Sequence, residues 1–175
     1  NQANAYFTAG STCLLVDGQC GVTINSTQAG SVTLNAQTSL SVSGVPLTAS
    51  TAGSDVTVTK TFVAGTLSWS KVEDAGQPLG GAAFQVCRMA DRFNTTLPSP
   101  ECQLVADNGP LLDTDNRAGF LALANQKLGT YSVQEAAAPA GYSLDTVPRT
   151  VSASLEAPNG VIAAPFVNVP STTRM

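Results

Sequence analysis

Apolar and polar residues alternate along much of this chain, and alternation predicts β-strands. The clearest instance is Gly65–Thr66–Leu67–Ser68–Trp69–Ser70–Lys71. Side chains two apart share a strand face, so Leu67, Trp69 and Lys71 point one way while Ser68 and Ser70 point the other. In Gly129–Thr130–Tyr131–Ser132–Val133–Gln134–Glu135, the shared face holds Tyr131, Val133 and Glu135. In Ala164–Pro165–Phe166–Val167–Asn168 it holds Phe166 and Asn168. Each strand sends one polar group into an aromatic-lined interior: an amine, a carboxylic acid and a carboxamide. The pattern points to three groups that react with one another.

Before Gly65 the alternating stretches are short and rich in Thr, Ser, Val, Ala and Gly. They are Gly21–Asn25, Ser31–Asn35 and Asp55–Lys60, and the turn signals are Asp17–Gly18, Ala29–Gly30, Ser43–Gly44 and Gly53–Ser54. Strands at this spacing predict a β-sandwich. Phe62–Val63–Ala64–Gly65 runs into Leu67 without a Ser/Pro-rich linker, which predicts a stiff tandem of two β-domains. Beyond Gly65, Ala82–Cys87, Gly119–Leu123 and Thr150–Leu155 add strands. Asp74–Leu79 and Pro158–Asn159–Gly160 read as turns. Ala136–Tyr142 reads as a loop. Arg88–Glu101 reads as an excursion in which Pro98 and Pro100 block regular ladder bonding. The expected fold is all-β: two sandwiches in tandem over 1–64 and 65–170, with a tail at 171–175.

The chain has 175 residues and a net charge of −4. Lys60, Lys71 and Lys127 are its only lysines, too few for the basic surface that a nucleic-acid backbone requires. It has no histidine, which excludes His-based triads and His metal sites, and no metal or cofactor is expected. No apolar run reaches the roughly 20 residues of a membrane helix. The absence of an initiator Met and of a signal-peptide pattern suggests a mature or excised fragment. Cys13, Cys20, Cys87 and Cys102 allow three disulfide pairings. Proximity favours Cys13–Cys20, across an Asp17–Gly18 hairpin, and Cys87–Cys102, at the base of the 88–101 excursion. Four buried thiols are the other reading. Disulfides would imply an extracytoplasmic protein.

The first region resembles part of a bacterial Ig-like domain of the invasin or intimin kind. The residues that carry this are Ala5–Tyr6–Phe7, Cys13, Gly18–Gln19–Cys20–Gly21–Val22–Thr23–Ile24 and Ala29–Gly30–Ser31–Val32–Thr33–Leu34. At 64 residues it is short for a complete sandwich. From about Gly65 to Val169 the chain resembles the CnaB, or SpaA-type prealbumin-like, domain of Gram-positive surface adhesins and pilins. That likeness rests on five motifs in order: Trp69–Ser70–Lys71; Asp74–Ala75–Gly76–Gln77–Pro78–Leu79–Gly80–Gly81–Ala82–Ala83–Phe84; Gly129 to Glu135; Ala138–Pro139–Ala140–Gly141–Tyr142; and Phe166–Val167–Asn168.

The resemblance implies a transthyretin-like sandwich and an intramolecular isopeptide bond between its first and last strands. The bond would join Lys71 to Asn168 with Glu135 assisting, and Trp69, Tyr131 and Phe166 would line the pocket. It implies a stalk module of a bacterial surface protein, extracellular and anchored to the cell wall through a region not present in this sequence. The partners expected are neighbouring domains of the same protein, with a host protein or glycan as a further candidate. The 88–101 cysteine loop lies outside the general pattern.

The chemistry follows from burial, which disfavours the ammonium form of Lys71. A proton passed to Glu135 leaves both groups neutral, as a dry interior prefers. Lys71 can then attack the side-chain carbonyl carbon of Asn168. Glu135 would hydrogen-bond the carbonyl oxygen and move protons to the departing ammonia. Such a reaction turns over once, so the protein is not expected to be an enzyme acting on a separate substrate.

Other readings remain at this level. Lys71 can lay its stem on Trp69 with its head in water. Glu135 can simply pair with it, and Asn168 can be a turn residue before Pro170. Lys60 is a second donor, and Asp145 and Asp113 are other acceptors. Asp113 and Asp115 suggest at most weak calcium binding. The sequons at Asn25 and Asn94 would be idle in a bacterium. A ligand-binding adhesin domain using the 88–101 loop, with Arg88, Arg92 and Phe93, is the alternative function.

Overall fold

A computed structural model describes residues 2–52, 57–110 and 112–171. The Gly53–Ser54 turn, the start of the Asp55–Lys60 strand and tail residues 172–175 lie outside these. The chain divides into two compact units, Asn1–Val63 and Ala64–Met175.

In the first unit, β1 (Ala5–Phe7) pairs with β2 (Ile24–Ser26), β3 (Gly30–Leu34) with β6 (Val58–Phe62), and β4 (Gln37–Val42) with β5 (Val45–Ser50), all antiparallel. The turns have a local cause. Ser43 and Gly44 both take positive φ, 51° and 83°, as do Asp17 and Gly18, 50° and 77°. Two consecutive positive-φ residues make the turn whose twist suits a two-residue hairpin. Among the described residues these ladders remain three separate two-stranded sheets. Among the described residues of this unit, Ala3 is the only buried hydrophobic one. Leu40 opposes Leu47 and Val42 opposes Val45 on one face, yet all four are exposed. These small sheets are consistent with the expected β-sandwich.

In the second unit two four-stranded sheets enclose one core. The first contains β7 (Gly65–Glu73), β10 (Phe120–Gln126), β13 (Asn159–Val161) and β14 (Phe166–Asn168), with β7 at its centre. The second runs β12 (Arg149–Ala153), β11 (Gly129–Ala137), β8 (Ala83–Ala90), β9 (Thr96–Ala106). Leu67, Trp69, Leu121, Leu123 and Phe166 face Phe84, Val86, Val105, Tyr131, Val133 and Val151 across the interior. Strand alternation puts these residues inside, and their burial supplies the main drive to fold.

Two expectations change. Pro158–Asn159–Gly160 does not simply turn: Asn159–Val161 forms β13, parallel to β7, with Gly160 opposite Leu67. Glycine is needed because a Cβ at 160 would lie 2.7 Å from the Ser152 carbonyl oxygen. The 88–101 stretch is not a free excursion either. β9 runs through Pro98 and Pro100, the ladder with β8 is interrupted between Glu101 and Thr96, and the chain reverses near Asn94 at φ 61°. β9 is an edge strand, where proline's missing N–H costs no ladder bond.

Candidate functional site

β7 alternates buried and half-buried positions along its length, and Lys71 falls on the buried side with 0% exposure. Its backbone is fixed on both sides. Lys71 N–H donates to Gly119 O at 2.8 Å, and Leu79 N–H donates to Lys71 O at 3.0 Å. Gly119 takes φ +80°, and a Cβ there would lie 2.7 Å from Leu79 N. The Lys71 ammonium nitrogen donates to Val72 O at 3.1 Å and Phe166 O at 3.5 Å. It lies 3.9 Å from Glu135 Oε1.

β14 brings the carboxamide. Phe166 pairs with Lys71 and Asn168 with Glu73, in parallel register. Lys71 and Asn168 are therefore diagonal neighbours, a separation that long side chains span. Asn168 has 0% exposure. Glu135, at 1% exposure, reaches across from β11 in the opposite sheet. Its Oε2 accepts from Asn168 Nδ2 at 2.7 Å and from the Asp145 N–H at 2.7 Å. The three polar groups that alternation assigned to the interior thus meet at one place.

One detail departs from expectation. Glu135 touches the amide nitrogen of Asn168 and not its carbonyl oxygen. Glu135 Oε1 and Asn168 Oδ1 are buried without hydrogen-bond partners, as is Trp69 Nε1. Unpaired buried polar atoms are costly and uncommon, and two of these three sit at the meeting of lysine, acid and amide. Burial holds the Lys71 amine below its ordinary value of 10.5, against the opposing pull of Glu135 and Asp145. The environment therefore makes the ammonium form less favourable than it is in water.

The aromatic wall differs in membership from the expected one. Trp69 packs edge-on against Phe84 with centroids 5.4 Å apart, and Phe84 packs likewise against Phe166 at 4.8 Å. Phe84 links the other two. Its place was legible in the alternation of Ala82, Phe84 and Val86. Tyr131 is buried, but its hydroxyl donates to the Lys127 carbonyl. It stands four residues from Glu135, roughly 13 Å along the strand. It lines the core away from the trio, and burial pushes its phenol up to about 12.

The other candidates lie elsewhere. Lys60 is exposed in the first unit. Asp113 accepts the N–H groups of Asn108, Asp115 and Ala122. Asp145 does enter the site, through its N–H and its pairing with Arg149, a contact with no periodic signal in the sequence. Cys13–Cys20 and Cys87–Cys102 are both disulfides, and Cys87 lies directly opposite Cys102 on β8 and β9. No His/Cys/Asp/Glu cluster among the described residues fits a metal ion, and they form no helix long and apolar enough to cross a membrane.

Two sheets closed over one core, with first and last strands side by side and parallel, define an all-β domain of prealbumin-like class. The family profile of the SpaA prealbumin-like fold domain matches residues 65–164, and the chain belongs to that family. No curated protein matches the chain. Among solved structures it is similar to BcpA, the major pilin subunit of Bacillus cereus, with 15% identity, a TM-score of 0.56, and coverage of 86% of this chain and 43% of that one. It is also similar to the full-length major pilin SpaD of Corynebacterium diphtheriae, with 20% identity, a TM-score of 0.41, and 62% and 30% coverage. A third is the pilus adhesin RrgA of Streptococcus pneumoniae, with 21% identity, a TM-score of 0.39, and 54% and 10% coverage. The chain spans less than half the length of each of these structures.

Proposed function

We propose that this chain is a stalk segment of a bacterial cell-surface adhesin or pilus, exposed outside the cell. Its second unit is read as a CnaB-type domain locked by an isopeptide bond between Lys71 and Asn168. Its first unit is read as Ig-like. The observation that carries the proposal is the meeting of an amine, a carboxyl and a carboxamide, each at most 1% exposed, at the junction of the unit's first and last strands.

Lys71 Nζ passes a proton to Glu135 Oε1, which has no other partner. The neutral amine attacks Asn168 Cγ. The Nζ–Cγ bond forms and the Cγ–Nδ2 bond breaks. Nδ2 already rests on the Glu135 carboxyl, which returns the proton to it; as one ammonia departs, the carboxylate takes the second proton from Nζ and is left protonated beside the new amide. Atoms and charge balance without an oxidant or cofactor. Well-oriented groups reach effective molarities of about 10⁵ M or more, enough to offset the poor electrophilicity of an amide. The product ties β7 to β14, so tension on the unit's ends loads a covalent bond instead of a β-ladder.

Intact mass tests the reading. The parent should lack one ammonia beyond the hydrogens lost to two disulfides, and Glu135→Ala should regain it. A parent of full mass rejects the cross-link.

One observation favours a second reading, ligand recognition at the β8–β9 tip. Phe93 is 73% exposed there, with the Arg92 guanidinium 4.5 Å from its ring centroid. Adhesion that survives deletion of the tip would remove this reading.

A further inference from the structure

β14 has only three residues and is paired on one side only, to β7. Its other side is held by side chains. Asp145 Oδ2 accepts the Val167 N–H at 3.1 Å and Arg149 Nη2 at 2.8 Å. The same Nη2 donates to Pro165 O at 2.9 Å, and the guanidinium lies 3.8 Å from the Phe166 ring centroid. Arg149 Nη1 donates to Val147 O at 2.8 Å, closing the loop that carries Asp145. The three residues before Asn168 are thus each gripped by one ion pair. The same loop reaches the acid, because the Asp145 N–H donates to Glu135 Oε2. That bond, with the one from Asn168, engages Oε2 and leaves Oε1 toward Lys71.

We propose that Asp145 and Arg149 are positioning residues for the Lys71–Asn168 cross-link, setting the acceptor strand and the acid against the amine while contributing no reacting atom. The inference rests on the cross-link reading above. Geometry argues for it first: a small misplacement at the reacting centre can cost on the order of 10²-fold in rate. Charge adds to this. The charged groups facing Lys71 are Glu135 on β11, Asp145 in the loop and Arg149 on β12. Glu73, further along β7 itself, is hydrogen-bonded to Tyr142. Asp145 favours the ammonium and Arg149 disfavours it, so the two charges of the pair act on the amine in opposite directions. Removing either charge should move the pH at which the amine becomes free, in opposite directions.

The test is the time course of ammonia loss, read by intact mass on full-length chain sampled after a pulse of synthesis, at several pH values. The variants are Arg149→Gln, Arg149→Lys and Asp145→Asn. Arg149→Gln and Asp145→Asn should react at least about tenfold more slowly than the parent. The midpoint of the rate profile should move to higher pH in Arg149→Gln and to lower pH in Asp145→Asn. Arg149→Lys keeps the charge and loses the fork, so it should be slow with the parental midpoint. A parent that never loses ammonia defeats the cross-link itself. A reacting parent with folded variants at parental rate overturns only the positioning role, as does slowing with no midpoint movement in Arg149→Gln or Asp145→Asn. Circular dichroism and disulfide content establish folding, and Arg149→Lys serves as the conservative variant should Arg149→Gln not fold.

Discussion

A lysine with no exposed surface is the residue on which this domain turns. Its fate can be read by titration as well as by mass. In Asn168→Ala the amine stays free inside the folded unit, held below 10.5 by burial. Between that lowered value and 10.5 the unfolded chain binds the proton that the folded chain refuses, so stability should rise as pH is raised through this window. The cross-linked parent, whose nitrogen has become an amide, should lack that slope. Urea midpoints of the two proteins across this range provide the check. Glu135→Gln tests the acid separately. The amide can still hydrogen-bond Asn168 but cannot take the lysine's proton, so ammonia loss should slow by at least about 10²-fold. Asp107 is a structural contrast. Its Oδ2 accepts the N–H groups of Gly81 and Gly119, and burial pushes its carboxyl above the usual range. Asp107→Ala would strand both donors and should cost about 2–4 kcal/mol in urea unfolding.

At the scale of elements, period-two alternation made β7, β11 and β14 legible, and with them Lys71, Glu135 and Asn168. It could do so because each strand has one dry face. What it could not reach were features set by tertiary contact. β13 hid behind turn residues, since Pro158–Asn159–Gly160 has the chemistry of a turn and becomes a strand only by lying beside β7. β9 looked broken by its prolines until its edge position made them harmless. Asp145 and Arg149 grip β14 from the aperiodic stretch before β12 and from its first residue, where spacing carries no message. The Cys87–Cys102 bridge belongs to this scale too. It joins β8 to β9 just before their ladder is interrupted. Opening it by Cys87→Ser with Cys102→Ser should cost up to about 3 kcal/mol, as for a loop of that length. It should leave ammonia loss unchanged, because the reacting trio sits on β7, β11 and β14. Thermal unfolding and intact mass of the double variant measure the two effects.

At the scale of the whole molecule the two units differ in what holds them. The second buries a continuous core, and the proposed cross-link would add something near 4–5 kcal/mol by closing a loop of about a hundred residues. Among the described residues the first contributes only Ala3 to the buried hydrophobic set, and its β4–β5 hairpin leaves Leu40, Val42, Val45 and Leu47 exposed. Segments with few buried contacts open at low free energy, and proteases act on the opened chain. Limited proteolysis should therefore cut within residues 1–63 and spare a fragment that begins near Ala64. In that fragment the mass should still be short by one ammonia. With Lys71→Ala the same protease should go on to degrade the second unit, because the restraint between β7 and β14 is gone while the ladders remain. A first unit that resists cleavage as long as the second would mean that its apolar faces are covered in solution, and would count against treating it as the weaker half.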